Sequence, residues 1–358
     1  MKKHLLLITA ILWAFSLSAQ EPAGYYNAAN GKKGQALRIA LAQIINNNAI
    51  ELSYGSGLWN AFLQTDVRNN KIWDIYSDIP GGTPPYEYTP GTNQCGNYSG
   101  EGNCYNKEHS VPASWFGNQT PMYSDLFHIY PTDGYVNNRR SNYPYGEVGN
   151  ASWTSRNGSK LGSSVTPGYS ETVFEPIDAY KGDLARGFFY MCTRYYNRDF
   201  DKSSPSMFTD GNLNPWALAM LIRWHEEDPV SQKEIDRNNA VYALQHNRNP
   251  FIDYPELVGK IFGADSVNAF HYGSAVALIN PALVAVYPNP AHEQFNIHSN
   301  SVEINEIVLF DLMGKEVLHT ETWDNHCTVN VSHLPAGLYL LKITSENQAV
   351  IVKKIVIQ

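Results

Sequence analysis

The sequence predicts an α+β protein, a mostly helical domain followed by a small all-β sandwich. Three observations predict it. Apolar residues recur at helical spacing early in the chain, as at Leu37, Leu41, Ile44 and Ile45. After Tyr287 the period shortens to alternation, with Phe295 and Ile297 on one side of a short run and turn residues between runs. Between the two patterns lies a linker-like stretch, 265–283. A length of 358 residues accommodates two domains.

The elements follow in order. Lys2 and Lys3, the apolar run Leu5 to Phe15 and the small residues Ser16 to Ala19 predict a secretory signal peptide over 1–19. The apolar run is too short to span a bilayer, which needs about 20 residues. The first, mostly helical domain is expected over 20–264. Ala36 to Ile45 predicts a helix stopped by Asn46-Asn47-Asn48, and Leu58 to Val67 a second. Pro80 to Cys104 is a long irregular stretch with repeated glycines. Trp216 to Glu227 and Lys233 to Gln245 predict two further helices. The last domain is expected over 284–358, with strands at Ile307 to Leu312, around Val329 and Val331, at Leu338 to Ile343 and at Val350 to Ile357.

Composition narrows the class. Apolar residues make up 43% and charged residues 17%, which excludes a charge-driven disordered chain. The formal net charge of −8 argues against a uniformly basic nucleic-acid coat but leaves room for a local basic groove. Four cysteines are too few for a disulfide scaffold at this length. Export makes two of them legible. Cys95 and Cys104 sit nine positions apart in one Gly-rich loop, without a nearby Cys or His pair for a metal, and are expected to pair in an oxidising compartment. Cys192 and Cys327 are expected to stay unpaired.

Chemistry concentrates at Asn106-Lys107-Glu108-His109-Ser110-Val111-Pro112. An imidazole is the natural general base near neutral pH, and a carboxylate suits a hard divalent ion. Phosphodiester hydrolysis needs both functions. Further on, Asp133 can cap a helix opening at Gly134, and on that helix Asn137 and Arg140 share a face at i and i+3. An amide oxygen can bind metal, and a guanidinium offers a fork for phosphate. On a regular strand Glu108 and His109 would point to opposite faces, so both reach one site only at a strand end or a bulge. The region 20–264 holds 20 Lys plus Arg against 25 Asp plus Glu. With that balance, a site acting on a polyanionic phosphodiester would need a focused basic path, expected from Lys107, Arg139, Arg140, Arg156 and Lys160. His225, His246 and the scattered tail histidines are read as structural. Arg248 and Asp253 are read as tying down a loop, and Trp59, Trp73 and Trp115 as core.

These pieces resemble the bacterial endonuclease I family. The matching segments are Leu58 to Phe62 with Asp66-Val67-Arg68, Trp73 to Asp78, Glu108 to Ser114, Ser124-Asp125-Leu126, Pro131, Val136 to Asn142 and Asn247 to Asp253. The resemblance implies a ββα-metal nuclease core and a secreted, non-specific endonuclease that cuts DNA and often RNA, leaving 5′-phosphate ends. It implies one divalent ion, usually Mg²⁺, with Mn²⁺ or Ca²⁺ as alternatives. Carried over, His109 is the general base, Glu108 and Asn137 are metal ligands, and Arg140 is the motif arginine, expected to contact substrate phosphate. Phe127 stands where relatives often have a histidine, with His128 beside it. The segment between Phe116 and Asp125 is short and carries no arginine. A secreted ribonuclease of the same fold, and a non-catalytic surface binding protein on a nuclease scaffold, are the alternative readings. The last 75 or so residues resemble the C-terminal sorting domain of the type IX secretion system, through Tyr287-Pro288-Asn289-Pro290, Leu334 to Tyr339 and Lys353-Lys354-Ile355. That implies a partner in the secretion machinery and a released or surface-held product.

Overall fold

The computed structural model describes residues 21–200, 202–203, 206–272, 284–299, 303–345 and 350–358. The signal-peptide segment 1–19 lies outside them, as does 273–283 of the predicted linker. The chain divides into two compact units, 1–270 and 271–358.

In the first unit, the stripe read from Leu37 to Ile45 is the buried face of α1 (Gly34–Asn46). Helix α2 (Ser56–Thr65) ends before Val67, which the sequence placed in the helix. Asn69 and Asn70 both take left-handed φ, 51° and 61°, and close a tight hairpin between β1 (Val67–Arg68) and β2 (Lys71–Ile72). Paired positive φ values suit a two-residue hairpin turn, so the turn overrides the helical pattern. Then come β3 (Tyr105–His109), β4 (Ile129–Asp133) and α3 (Gly134–Arg140). The strands are antiparallel in an unbroken register from Tyr105↔Asp133 to His109↔Ile129. A second antiparallel sheet holds β5 (Val148–Thr154), β6 (Lys160–Ser164) and β7 (Thr172–Glu175).

Helix α4 (Lys181–Arg194) is buried along its whole length. After the short pair β8 (Phe208–Thr209) and β9 (Asn212–Leu213) come α5 (Pro215–Glu227) and α6 (Gln232–Gln245). Two short helices, α7 (Pro250–Asp253) and α8 (Leu257–Phe262), finish the row. Ser231 and Glu234 form a capping box at the start of α6. Buried charge pairs tie these helices together. Arg186 of α4 meets Glu234 of α6 through two hydrogen bonds, at 2.5 and 2.8 Å. Arg237 of α6 grips Asp66 at 2.8 Å and donates to the Leu126 and Ile129 carbonyls, both at 2.8 Å. The last two bonds hold the entry to β4 against the helical layer.

The second unit is two antiparallel sheets around one core. The first sheet runs β10 (Val284–Tyr287), β11 (Gln294–Ser299) and β14 (His326–Asn330). The second orders β13 (Glu316–Asp324), β12 (Ile304–Phe310), β15 (Gly337–Ser345) and β16 (Val350–Ile357). Phe295, Ile297 and Val329 of one sheet share a buried cluster with Ile307, Leu309, Leu341 and Ile355 of the other. Leu312, expected in a strand, lies in the exposed Asp311–Lys315 turn, where Gly314 takes φ 78°. No helix among the described residues is long and apolar enough to cross a membrane.

Candidate active site

Strand β3 ends at His109, and this resolves the problem of opposite faces without a bulge. Arg140 reaches across from α3 and donates to the His109 carbonyl at 2.8 Å and the Ser110 carbonyl at 2.5 Å. The chain leaves the ladder there, and Glu108 and His109 both line one cleft. The cleft measures about 270 Å³ and is also lined by Lys107, Ser114, Asn118, Asn137 and Ser141.

Helix α3 is aimed by its cap. Asp133 Oδ1 accepts the Val136 N–H at 2.8 Å, as a cap residue should. Its other oxygen accepts the Tyr88 hydroxyl at 2.5 Å and the Gly102 N–H at 2.7 Å. Gly102 belongs to the loop closed by the Cys95–Cys104 disulfide. So the disulfide loop holds the cap that aims the helix. Asn137 and Arg140 both turn toward β3. Asn137 Nδ2 donates to the Lys107 carbonyl at 3.0 Å, which leaves Oδ1 as the acceptor end of the amide.

Glu108 is buried. Tyr76 donates to its Oε1 at 2.9 Å and Arg140 Nη1 lies 3.2 Å from the same oxygen. Burial pushes its carboxyl up to about 7, against Arg140 and the Tyr76 and Tyr145 hydroxyls, which favour the charged form. Among the described residues no group of three or more His, Cys, Asp or Glu side chains is placed to hold a metal ion. The cleft is lined by one carboxylate, that of Glu108, together with neutral oxygen donors, the Asn137 amide among them. That set fits a hard cation such as Mg²⁺, which takes one or two protein ligands and keeps its waters.

His109 is half-buried. Its Nε2 faces the Tyr123 carbonyl at 3.2 Å, and its ring stacks on Tyr123 at 5.2 Å and Tyr54 at 5.7 Å between centroids. Donation from Nε2 to a carbonyl places the lone pair on Nδ1. Burial, reinforced by His128, pushes His109 down to about 3, so the ring is neutral at pH 7. His128, the candidate beside Phe127, is fully enclosed and bonded through Nε2 to the Met122 carbonyl at 2.7 Å. It packs behind His109 instead of facing the cleft.

Arg140, expected to contact substrate phosphate, is also tied into the protein. It is 1% exposed, its guanidinium is taken up by two carbonyls and Glu108, and its face lies over the Tyr145 ring at 4.6 Å. These bonds hold the end of β3 in shape, while Arg140 itself lines the same cleft as Glu108, His109 and Asn137 and its Nε has no hydrogen-bond partner among the described residues. Tyr76 stands in the matching segment Trp73 to Asp78 without an assigned part, whereas Tyr145, Tyr123 and Tyr54 were not picked out from the sequence. These three arrive from distant segments and belong to no local motif. His225, by contrast, lies between Arg186 and the Pro255 carbonyl as a structural residue, and Arg248 does pair with Asp253, at 2.7 Å.

A model of endonuclease I matches residues 33–256. The chain belongs to the endonuclease I family. It is a nuclease, a hydrolase of nucleic-acid phosphodiester bonds. Residues 285–358 match the secretion system C-terminal sorting domain, which makes it a secreted or cell-surface protein. An extracellular ribonuclease of Bacillus amyloliquefaciens is 34% identical over 247 residues, covering 66% of this chain and 78% of that one. The extracellular ribonuclease of Bacillus subtilis is 32% identical with the same coverage. A periplasmic deoxyribonuclease of Aeromonas hydrophila is 25% identical over 165 residues, 41% of this chain and 62% of its own. Nucleases of the endonuclease I family are generally dependent on a divalent metal.

Proposed function

We propose that this protein is a metal-dependent, non-specific endonuclease of a ββα-metal type, cutting DNA and RNA to leave 5′-phosphate ends. The observation that carries the proposal is the meeting of Glu108, His109 and Asn137 in one cleft, from the end of an antiparallel strand pair and the helix that follows it. His109, neutral and with Nδ1 free of the Tyr123 carbonyl, takes the proton of an attacking water. An anionic phosphate brought beside the ring favours its protonated form and strengthens it as a base. The stacked Tyr54 and Tyr123 rings fix the plane in which the imidazole works. Glu108 and Asn137 would hold one divalent ion, which supplies charge stabilisation to the scissile phosphate and its leaving oxygen. Arg140 keeps the Glu108 carboxylate and the His109 carbonyl in register.

A preference for RNA is the second reading, supported by the greater identity to the two extracellular ribonucleases than to the deoxyribonuclease. The test is incubation of the purified protein with plasmid DNA and with structured RNA, each with Mg²⁺ or EDTA, beside His109→Ala. Degradation that needs Mg²⁺ and vanishes in the variant is expected, and relative rates rank the substrates. Intact nucleic acid in every lane, from folded protein, would refute the proposal.

A further inference from the structure

The five cations near the site in sequence do not form one path. Arg140 lines the cleft, but its Nη atoms are already bonded inside the protein. Arg139 donates to the Tyr135 hydroxyl and stacks between Tyr135 and Trp153. Arg156 lies over the Tyr86 ring, and Lys160 sits 3.7 Å from Glu175. None of these last three lines the cleft. Lys107 does.

Its surroundings are unusual for a lysine. The ammonium stands 3.8 Å from the centre of the Trp59 ring and 4.6 Å from that of Tyr54, and no carboxylate lies within ion-pair distance among the described residues. Taking a cation out of water without a counter-ion is costly, and π faces recover only part of that cost. Such a group gains most when an anion arrives. Lys107 and His109 are two positions apart on β3 and therefore share a strand face. The Tyr54 ring backs both of them. The Lys107 carbonyl is also the anchor of the Asn137 amide. So the uncompensated ammonium lies on the general-base side of the site, whereas the Arg140 Nη atoms are already bonded to the His109 and Ser110 carbonyls.

Building on the endonuclease reading, we infer that Lys107 is the substrate-phosphate contact of this cleft, its ammonium binding a non-bridging oxygen of the phosphodiester in DNA or RNA. Trp59 and Tyr54 hold the long side chain ready and so reduce the freedom lost on binding. A point-charge contact to the backbone carries no base information, in keeping with a non-specific enzyme.

The test uses the full-length secreted protein, with Lys107→Met to keep the stem and Lys107→Arg to restore the charge. Initial cleavage rates on a labelled duplex and a labelled RNA are read from 50 to 300 mM NaCl. Binding of a fluorescein-labelled oligonucleotide in EDTA is measured over the same range. Lys107→Met should lower kcat/KM about 10- to 100-fold, the value of one charged hydrogen bond. The slope of log affinity against log salt should become shallower by roughly 0.7–0.9, one phosphate contact fewer. Lys107→Arg should recover most of both. An unchanged salt slope in Lys107→Met, or an arginine variant as impaired as the methionine one, would overturn the inference. Absence of turnover in the unaltered chain would count against the nuclease reading alone, because the binding slopes still report on Lys107.

Discussion

Asp125 offers the severest test of how the site is supported. Its Oδ2 accepts from Arg194 at 2.6 Å, Tyr195 at 2.8 Å and Tyr190 at 2.9 Å, while Oδ1 accepts from the Phe127 N–H and Gln245, both at 3.1 Å. Asp125 is 2% exposed and Arg194 5%. This carboxylate anchors the turns Met122–Ser124 and Leu126–His128, which deliver the Tyr123 carbonyl to His109. Asp125→Asn keeps the shape and removes the charge, leaving Arg194 buried without its counter-ion. Breaking a buried pair in this way costs about 3–5 kcal/mol, out of a typical total of 5–15 kcal/mol. For a unit of this size each kcal/mol lowers Tm by about 2–4 °C, so the drop should be about 6–20 °C. Burial works to raise Asp125, yet Arg194, His128 and the hydrogen bonds hold it below the ordinary carboxylate value. A depressed value contributes stability that is complete above the unfolded pKa of about 3.9 and is lost as pH falls through the folded one. The variant should therefore lose less stability than the natural chain on acidification below pH 4. Urea unfolding followed by near-UV circular dichroism at pH 7 and pH 3.5 measures both effects, alongside cleavage rates well below the melting point. A Tm within 2 °C of the natural protein, with the same acid limb, would refute this account of the network.

Three other outcomes follow from the same contacts. His109→Ala should lose about 10²–10⁴-fold in single-turnover rate, the range of general-base catalysis, with unchanged circular dichroism; normal cleavage would remove His109 from its assigned part. Asn137→Ala should need a higher Mg²⁺ concentration for half-maximal rate, and EDTA should abolish cleavage until Mg²⁺ is restored; an unshifted titration would argue against the amide as a ligand. Replacing Cys95 and Cys104 with serine should destabilise the first unit by about 2.6 kcal/mol, the loop-closure value for nine residues. Thermal unfolding checks it, and an unaltered Tm would mean that the loop is held by its hydrogen bonds alone.

What was legible in the sequence was local. Asp133 announced itself as a cap because the capping bond spans three residues, and the helix read from Lys233 to Gln245 is α6 to within one residue. The strands at 148–175 escaped notice because Asn150, Ser152, Gly162 and Ser163 break any apolar alternation. Val67 was misplaced because a left-handed Asn69-Asn70 turn outweighed a helical period. At the site, the convergence of Glu108, His109 and Asn137 was foreseeable from strand, cap and helix phase. The bonds from Arg140 to the His109 and Ser110 carbonyls were not, since they join backbone groups about 30 positions away in the sequence. Trp59, read as core, does pack against the Ile72, Tyr88 and Tyr105 cluster, and its ring also supports an ammonium, which the core reading did not foresee.

The loop closed by Cys95 and Cys104, nine positions apart, bears on timing inside the producing cell. Its Gly102 N–H holds the cap of the helix that carries Asn137. Cytosolic thiols stay reduced, and disulfides persist only in oxidising compartments. A newly made chain therefore meets the genome and transcripts of its own cell before the bond that steadies this helix has formed. The loop in contact with the Asp133 cap is thus locked covalently only after the chain has reached an oxidising compartment.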